Sequence, residues 1–169
     1  MFGLPNIPRR GHHIGYEDCR KKQDDVANSS AAAVAPTSSA TIDPSSSGAS
    51  AEETPVLLLN VFGVGTFHQH RLMPKLIDGS DGNRVVYGID YLGQGRSWPI
   101  DCDDGESESE RGLRYCINSW ADQIIEFIEE VILPEHTSSK KIHLVGNSVG
   151  GYLSVVLASK RPDLISSVS

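Results

Sequence analysis

The hydrophobic pattern of the chain changes sharply near residue 55. Upstream, residues 21–53 are dominated by Ser, Ala, Thr and Pro, with Ser45-Ser46-Ser47-Gly48 as the extreme of that bias. Such a composition buries too little apolar surface to offset the entropy of ordering, so residues 21–54 are expected to be a disordered insertion. Downstream, Pro55-Val56-Leu57-Leu58-Leu59-Asn60-Val61 is a continuous apolar run of the kind that forms a parallel strand buried on both faces. Residues 84–90 and 141–145 predict two further strands, and residues 164–169 the start of another. Before the insertion, residues 11–17 alternate weakly and predict one short strand.

Between these runs the period changes. Trp120, Ile124, Phe127, Ile128 and Val131 recur at helical spacing with Glu126, Glu129 and Glu130 on the other side. Ser119 is the expected N-cap, with Asp122 three residues on, and Pro134 the expected stop. Residues 149–159 lack proline and are mostly apolar, as suits a helix covered by other layers, with Lys160, Arg161 and Pro162 closing it. Residues 69–77 predict a short helix distorted by Pro74, followed by a turn over 78–83. Alternating strands and helices joined by Gly-rich turns give an α/β fold with a mostly parallel sheet. Three segments follow: residues 1–20 with a short strand, the insertion at 21–54, and a packed domain over 55–169.

One junction in this pattern carries chemistry. The apolar run of Leu144-Val145 stops at Gly146-Asn147-Ser148-Val149-Gly150-Gly151, and a helix pattern follows. Gly146, Ser148 and Gly150 fill a G-x-S-x-G motif, the nucleophile elbow, in which a serine sits on a tight strand-to-helix turn and glycines let the backbones approach. Small residues joining a strand to a helix by chance are the structural alternative, and the flanking strand and helix patterns weigh against it. Val149 opens the following helix, so its N–H is placed to face a developing oxyanion.

A second candidate is the loop Phe62-Gly63-Val64-Gly65-Thr66-Phe67-His68, at the carboxyl end of a strand, where open α/β sheets place their sites. Its glycines lack the Lys and Ser/Thr of a phosphate loop and the third glycine of a dinucleotide fingerprint, so no nucleotide cofactor is indicated. A third strand end runs into Tyr91-Leu92-Gly93-Gln94-Gly95-Arg96-Ser97, where Asp90 is expected to bind backbone amides of its own turn.

Composition narrows the classes. The 169 residues carry a net charge of -7, which disfavours nucleic acid or an anionic membrane as partner. No apolar run approaches the roughly 20 residues of a membrane helix, and the N-terminus lacks a secretory signal's apolar core. The 3 cysteines, Cys19, Cys102 and Cys116, have neither disulfide-framework nor metal-ligand spacing, which fits a reducing compartment. His12 and His13 are strand neighbours facing opposite ways, and the acidic run over 101–110 lacks the spacing of a calcium loop, so no metal is expected.

Taken together, the Asp90-x-x-Gly93-x-Gly95-x-Ser97 turn, the loop at Phe62 and the elbow at Ser148 resemble the α/β-hydrolase superfamily, and more narrowly its pheophytinase and chlorophyll dephytylase group, over residues 55–169. The resemblance implies a serine ester hydrolase acting on a small lipophilic ester, the phytyl ester of a chlorophyll derivative, in the chloroplast and without a cofactor. It assigns Ser148 as nucleophile, Val149 and Phe62 as donors of oxyanion-hole amides, and Gly146, Asn147, Gly150 and Gly151 as the elbow. One departure is local: the family begins the oxyanion loop with His-Gly or Pro-Gly, whereas this chain has Asn60-Val61. The other concerns the triad. The family's acid and histidine follow the serine, while all 6 histidines here precede it. The chain is therefore expected to be the N-terminal portion of the fold, with little turnover by itself and an exposed sheet edge. His68 or His70 as a rearranged base is the lesser reading. A catalytically incomplete binding module is the alternative to an enzyme.

Overall fold

The computed structural model of the chain describes residues 7–9, 12–20, 54–79, 84–98 and 115–169. The Ser-rich segment over 21–53 and the acidic run over 101–110 lie outside the described residues. Five strands form the main sheet: β3 (Tyr16–Cys19), β4 (Val56–Leu59), β5 (Val86–Ile89), β6 (Ile142–Gly146) and β7 (Ile165–Val168), in the order β3-β5-β4-β6-β7. All neighbours are parallel except β3, which runs antiparallel to β5 along one edge. Two short strands, β1 (Ile7–Arg9) and β2 (His12–Ile14), form a separate antiparallel pair.

β4 is central because every residue in it is apolar and both of its faces are covered: Leu57, Leu58 and Leu59 have no exposed surface. Alternate residues divide between two cores. Leu57, Leu59, Tyr87, Ile89 and Leu144 face one core, closed by helices α2 (Ile117–Phe127) and α3 (Val149–Lys160). Val56, Leu58 and Val86 face the other, where helix α1 (Leu72–Asp78) supplies Met73 and Ile77.

Local details depart from the sequence pattern for identifiable reasons. The single short strand expected over 11–17 is split at Gly15, where the chain passes from the β1–β2 pair into the main sheet. A Cβ at that point would lie 2.7 Å from Arg96 Cβ and 2.9 Å from an Asp90 carboxylate oxygen, so the backbone there is packed too closely for a side chain. The segment with Pro74 begins as a 3-10 turn, Thr66–Gln69, and then becomes α1, with Pro74 in its first turn, where no N–H is needed. Helix α2 starts at Ile117 with Cys116 as N-cap, whose Sγ lies 3.4 Å from Ser119 Oγ and does not cap the first-turn N–H groups, so Ser119 lies inside the first turn instead of capping it. The helical run stops at Glu135, one residue past Pro134, the expected stop. A π turn over Ile128–Ile132 leads into Leu133–Glu135, widening the turn upstream of the proline ring. On α3 the inner side, with Leu153 and Leu157, is buried, whereas Tyr152 and Val155 are exposed.

Candidate active site

From β4 the chain crosses to β5 on one side, whereas from β6 it crosses to β7 on the other. The crevice beyond the carboxyl ends of β4 and β6 is thus the topological switch point of the sheet, where such folds bind ligands. The two loops singled out in the sequence both leave from it.

The first loop is the junction of β6 and α3. Ser148 has φ 56° and ψ −117°, and among the described residues it is the one non-glycine with positive φ. A side chain held there costs about 1–3 kcal/mol and persists where the surroundings impose it. The surroundings here are backbone. A Cβ on Gly146 would lie 2.6 Å from the Gly151 nitrogen and closer still to the Gly150 carbonyl. A Cβ on Gly150 would lie 2.6 Å from the Leu59 carbonyl carbon and closer still to its oxygen. Asn147 N–H donates to that same Leu59 carbonyl at 3.3 Å, and Gly150 N–H donates to the Asn147 carbonyl at 3.0 Å. The turn is therefore pressed against the end of β4, and the Ser148 side chain is left exposed at its apex. Val149 is the first residue of α3, so its N–H lies outside the helix's own ladder. Gly151 is less crowded, with its nearest neighbour for a Cβ, the Gly146 carbonyl oxygen, at 3.4 Å.

The second loop follows β4. Asn60 is buried, and its Nδ2 donates to the Ile89 carbonyl at 3.1 Å while its own carbonyl accepts Tyr91 Oη–H at 2.9 Å. Burial pushes the Tyr91 phenol well above its ordinary range, partly countered by that hydrogen bond, so it remains a donor. The Tyr91 ring stacks on Trp120, centroids 5.6 Å apart, and the exposed Phe62 ring lies 6.1 Å from Trp120 on another side. The left-handed residue of this loop is Gly63, at φ 81°, not the Val61 position where the resemblance looks for glycine. Gly63 N–H donates to Gln94 Oε1 at 2.8 Å.

Asp90 does more than its expected local task. Its carboxylate, without exposed surface, accepts Arg96 N–H at 2.9 Å within its own turn and Thr66 N–H at 2.6 Å from the loop after β4. Gln123 on α2 adds a brace, accepting Leu92 N–H and donating to the Asp90 carbonyl, both at 2.9 Å. Trp120 Nε1–H donates to the Leu92 carbonyl at 3.0 Å. Gln94 and Tyr91 thus tie the turn after β5 to the loop after β4, and Gln123 and Trp120 tie that turn to α2. The sequence showed Trp120 merely as core and gave no signal for the other three, because each acts on a residue about 30 positions away.

No histidine among the described residues hydrogen-bonds to Ser148. His136 Nε2 is 2.9 Å from Tyr87 Oη, His143 Nδ1 is 2.6 Å from Ser167 Oγ, and His70 Nδ1 is 2.8 Å from the Phe67 carbonyl. Among the described residues no group of three or more His, Cys, Asp or Glu could hold a metal ion. Nor is any helix there long and apolar enough to cross a membrane.

The chain is similar to known proteins in sequence and in fold. A family model described as alpha/beta hydrolase fold matches residues 54–168. Pheophytinase, chloroplastic, of Arabidopsis thaliana is 31% identical over 134 residues, which cover 68% of this chain and 26% of that protein. The chain therefore spans about a quarter of that relative's length. Epoxide hydrolase I of potato (Solanum tuberosum) superposes with a TM-score of 0.61 at 13% identity, covering 97% of this chain and 37% of that one. A structure from work on carboxylesterases of the thaumarchaeon Nitrososphaera gargenis has a TM-score of 0.60 at 15% identity, covering 97% and 43% of the two chains. At these identities the two structures show a common fold and nothing finer.

Proposed function

The chain belongs to the α/β-hydrolase family, and on that premise we propose that it carries the nucleophile half of a serine ester hydrolase. In this reading Ser148 Oγ attacks the ester carbonyl carbon, and the carbonyl oxygen becomes an oxyanion held by the N–H groups of Val149 and Phe62. The alcohol leaves as the tetrahedral intermediate collapses to an acyl-enzyme, which water then hydrolyses. Gly146, Asn147 and Gly150 keep the turn sharp, and Gly151 completes the elbow without being needed for its close approach. The base that takes the Ser148 proton is a group outside the described residues. No cofactor or metal takes part in these steps.

The observation that carries the proposal is the backbone of Ser148, forced to positive φ at the sheet's switch point by contacts that leave no room for a Cβ on either flanking glycine. An ordinary strand-to-helix connection has no need of that strain. For the substrate, exposed Phe62, Phe67 and Trp98 on the loops after β4 and β5 favour a lipophilic ester. The named relative makes the phytyl ester of a chlorophyll derivative the first candidate, and the chloroplast the first compartment to examine.

The test uses protein expressed from its complete transcript. A fluorophosphonate probe labels Ser148, the Ser148→Ala variant is not labelled, and incubation with pheophytin releases free phytol. Absence of labelling in a folded parent protein would sink the enzyme reading and leave the alternative, a binding module that keeps the pocket without a working base. Imaging of a fluorescent fusion in plant cells checks the compartment, and signal excluded from plastids overturns it.

A further inference from the structure

Gln94 sits on a rigid mount. The glycines on either side of it have positive φ, 78° at Gly93 and 55° at Gly95. Its N–H donates to the Tyr91 carbonyl at 2.8 Å, its carbonyl accepts Ser97 N–H at 2.9 Å, and Gly93 N–H closes the turn on the Ser97 carbonyl at 2.7 Å. The side chain is buried, with 7% exposure. Its Oε1 accepts Gly63 N–H at 2.8 Å, which fixes the orientation of the carboxamide, because a backbone N–H cannot pair with the NH2 end. Among the described residues Nε2 is then a buried donor without an acceptor. Leaving such a group unpaired costs about 1–3 kcal/mol, and a native fold that accepts this cost calls for an explanation.

The explanation lies in what Oε1 holds. Gly63 directly follows Phe62 and is the left-handed residue of the loop after β4. Fixing the Gly63 amide fixes the peptide plane that joins the two residues, so that only the two backbone torsions of Phe62 separate this held plane from the Phe62 amide. We infer that Gln94 is a positioning residue for the oxyanion loop, acting through Gly63. This rests on the proposed role of Ser148 and the Phe62 amide, and goes beyond it by assigning a polar side chain from the turn after β5. Val61, β-branched where the resemblance looks for glycine, restricts the backbone ahead of Phe62, and Gln94 restrains it from the other side through Gly63.

The test separates a reaction that develops an oxyanion from one that does not. In the full chain carrying Ser148→Cys, with Cys19, Cys102 and Cys116 replaced by serine so that one thiol remains, the thiolate attacks the carbonyl carbon of p-nitrophenyl acetate, passes through a tetrahedral oxyanion and expels p-nitrophenolate, leaving a thioester. With iodoacetamide the same thiolate displaces iodide at carbon and no oxyanion forms. The ratio of the two rates, referred to that of N-acetylcysteine amide, reports the oxyanion hole alone. Adding Gln94→Met, which keeps the volume and removes the acceptor, is expected to lower that ratio about tenfold, less than the loss of a hole donor itself, with the alkylation rate unchanged. Hydrogen exchange at the Gly63 amide speeds up in the same variant. Equal falls in both rates, or an unchanged ratio despite faster Gly63 exchange, overturn the inference. If the Ser148→Cys chain, before the second change, gives a ratio that merely equals that of the free thiol, the underlying site reading is overturned instead, so the two failures are distinct.

Discussion

Gly150 and Gly151 are adjacent in the first turn of α3, yet the structure assigns them opposite responses to a methyl group. A Cβ on Gly150 would be 2.6 Å from the Leu59 carbonyl carbon and 2.9 Å from the Asn60 carbonyl oxygen. Carbon atoms attract best at about 3.5–4.0 Å, so α3 and the end of β4 must part by roughly 1 Å to admit it. Both sides are backbone, and no rotamer change relieves the clash. Overpacking of this kind costs about 1–3 kcal/mol, and helix propensity returns at most about 1 kcal/mol on going from Gly to Ala. Gly150→Ala is therefore expected to destabilise the fold by about 2 kcal/mol, and to move Ser148 as well. On Gly151 the nearest atom, the Gly146 carbonyl oxygen, stands at 3.4 Å, an ordinary contact, so propensity wins and Gly151→Ala gains up to about 1 kcal/mol. Urea unfolding followed by circular dichroism measures both variants, with unchanged slopes and midpoints shifted in opposite directions. If Gly150→Ala matched or exceeded the parent's stability, the close approach of α3 to β4 and the forced geometry of Ser148 would both be refuted.

Replacing Ser148 by glycine removes the penalty of a side chain at φ 56°, so Ser148→Gly is expected to raise stability by about 1 kcal/mol, whereas Ser148→Ala keeps the strain and leaves it nearly unchanged. Thermal melting of the two variants decides it, and equal midpoints count against strain at the elbow. Asp90→Ala removes the buried acceptor shared by Thr66 and Arg96 and is expected to cost about 3 kcal/mol, while Asp90→Asn, which keeps one acceptor oxygen, costs less. A denaturant midpoint within error of the parent for the alanine variant would contradict the bridging role. Burial raises the folded-state pKa of Tyr87 and Tyr91, an effect reinforced by Glu135 at Tyr87 and opposed by the Asn60 hydrogen bond at Tyr91. Because the folded pKa is raised, their contribution is fully present below the unfolded tyrosine pKa of about 10 and is lost as pH rises through the folded values. Stability should thus fall steeply above that pH, and Tyr91→Phe should flatten the decline; an identical slope in the variant argues against the assignment.

The sequence alone determined most of the elements and the tight turn at Ser148. Runs such as Leu57-Leu58-Leu59 and the stripe from Trp120 to Val131 encode a buried strand and an amphipathic helix because burial periodicity is a local property. The glycines around Ser148 encode the tight turn for the same reason, since a Cβ at Gly146 would meet the chain four and five residues on. Local signals were off by a few residues at the ends of α2: the helix begins at Ile117, so Ser119 lies inside its first turn, and a π turn over Ile128–Ile132 carries the helical run to Glu135, one residue past Pro134. Only the tertiary structure decided the strand order, which sets β4 beside β6 and puts the loops of Phe62 and Ser148 at one crevice. It also decided that Asp90 reaches Thr66, that Gln94 holds Gly63 and that Gln123 braces the turn after β5. Each of those contacts joins residues 24 to 33 positions apart through a polar group with no periodicity, so nothing in the local sequence around either partner specifies the other.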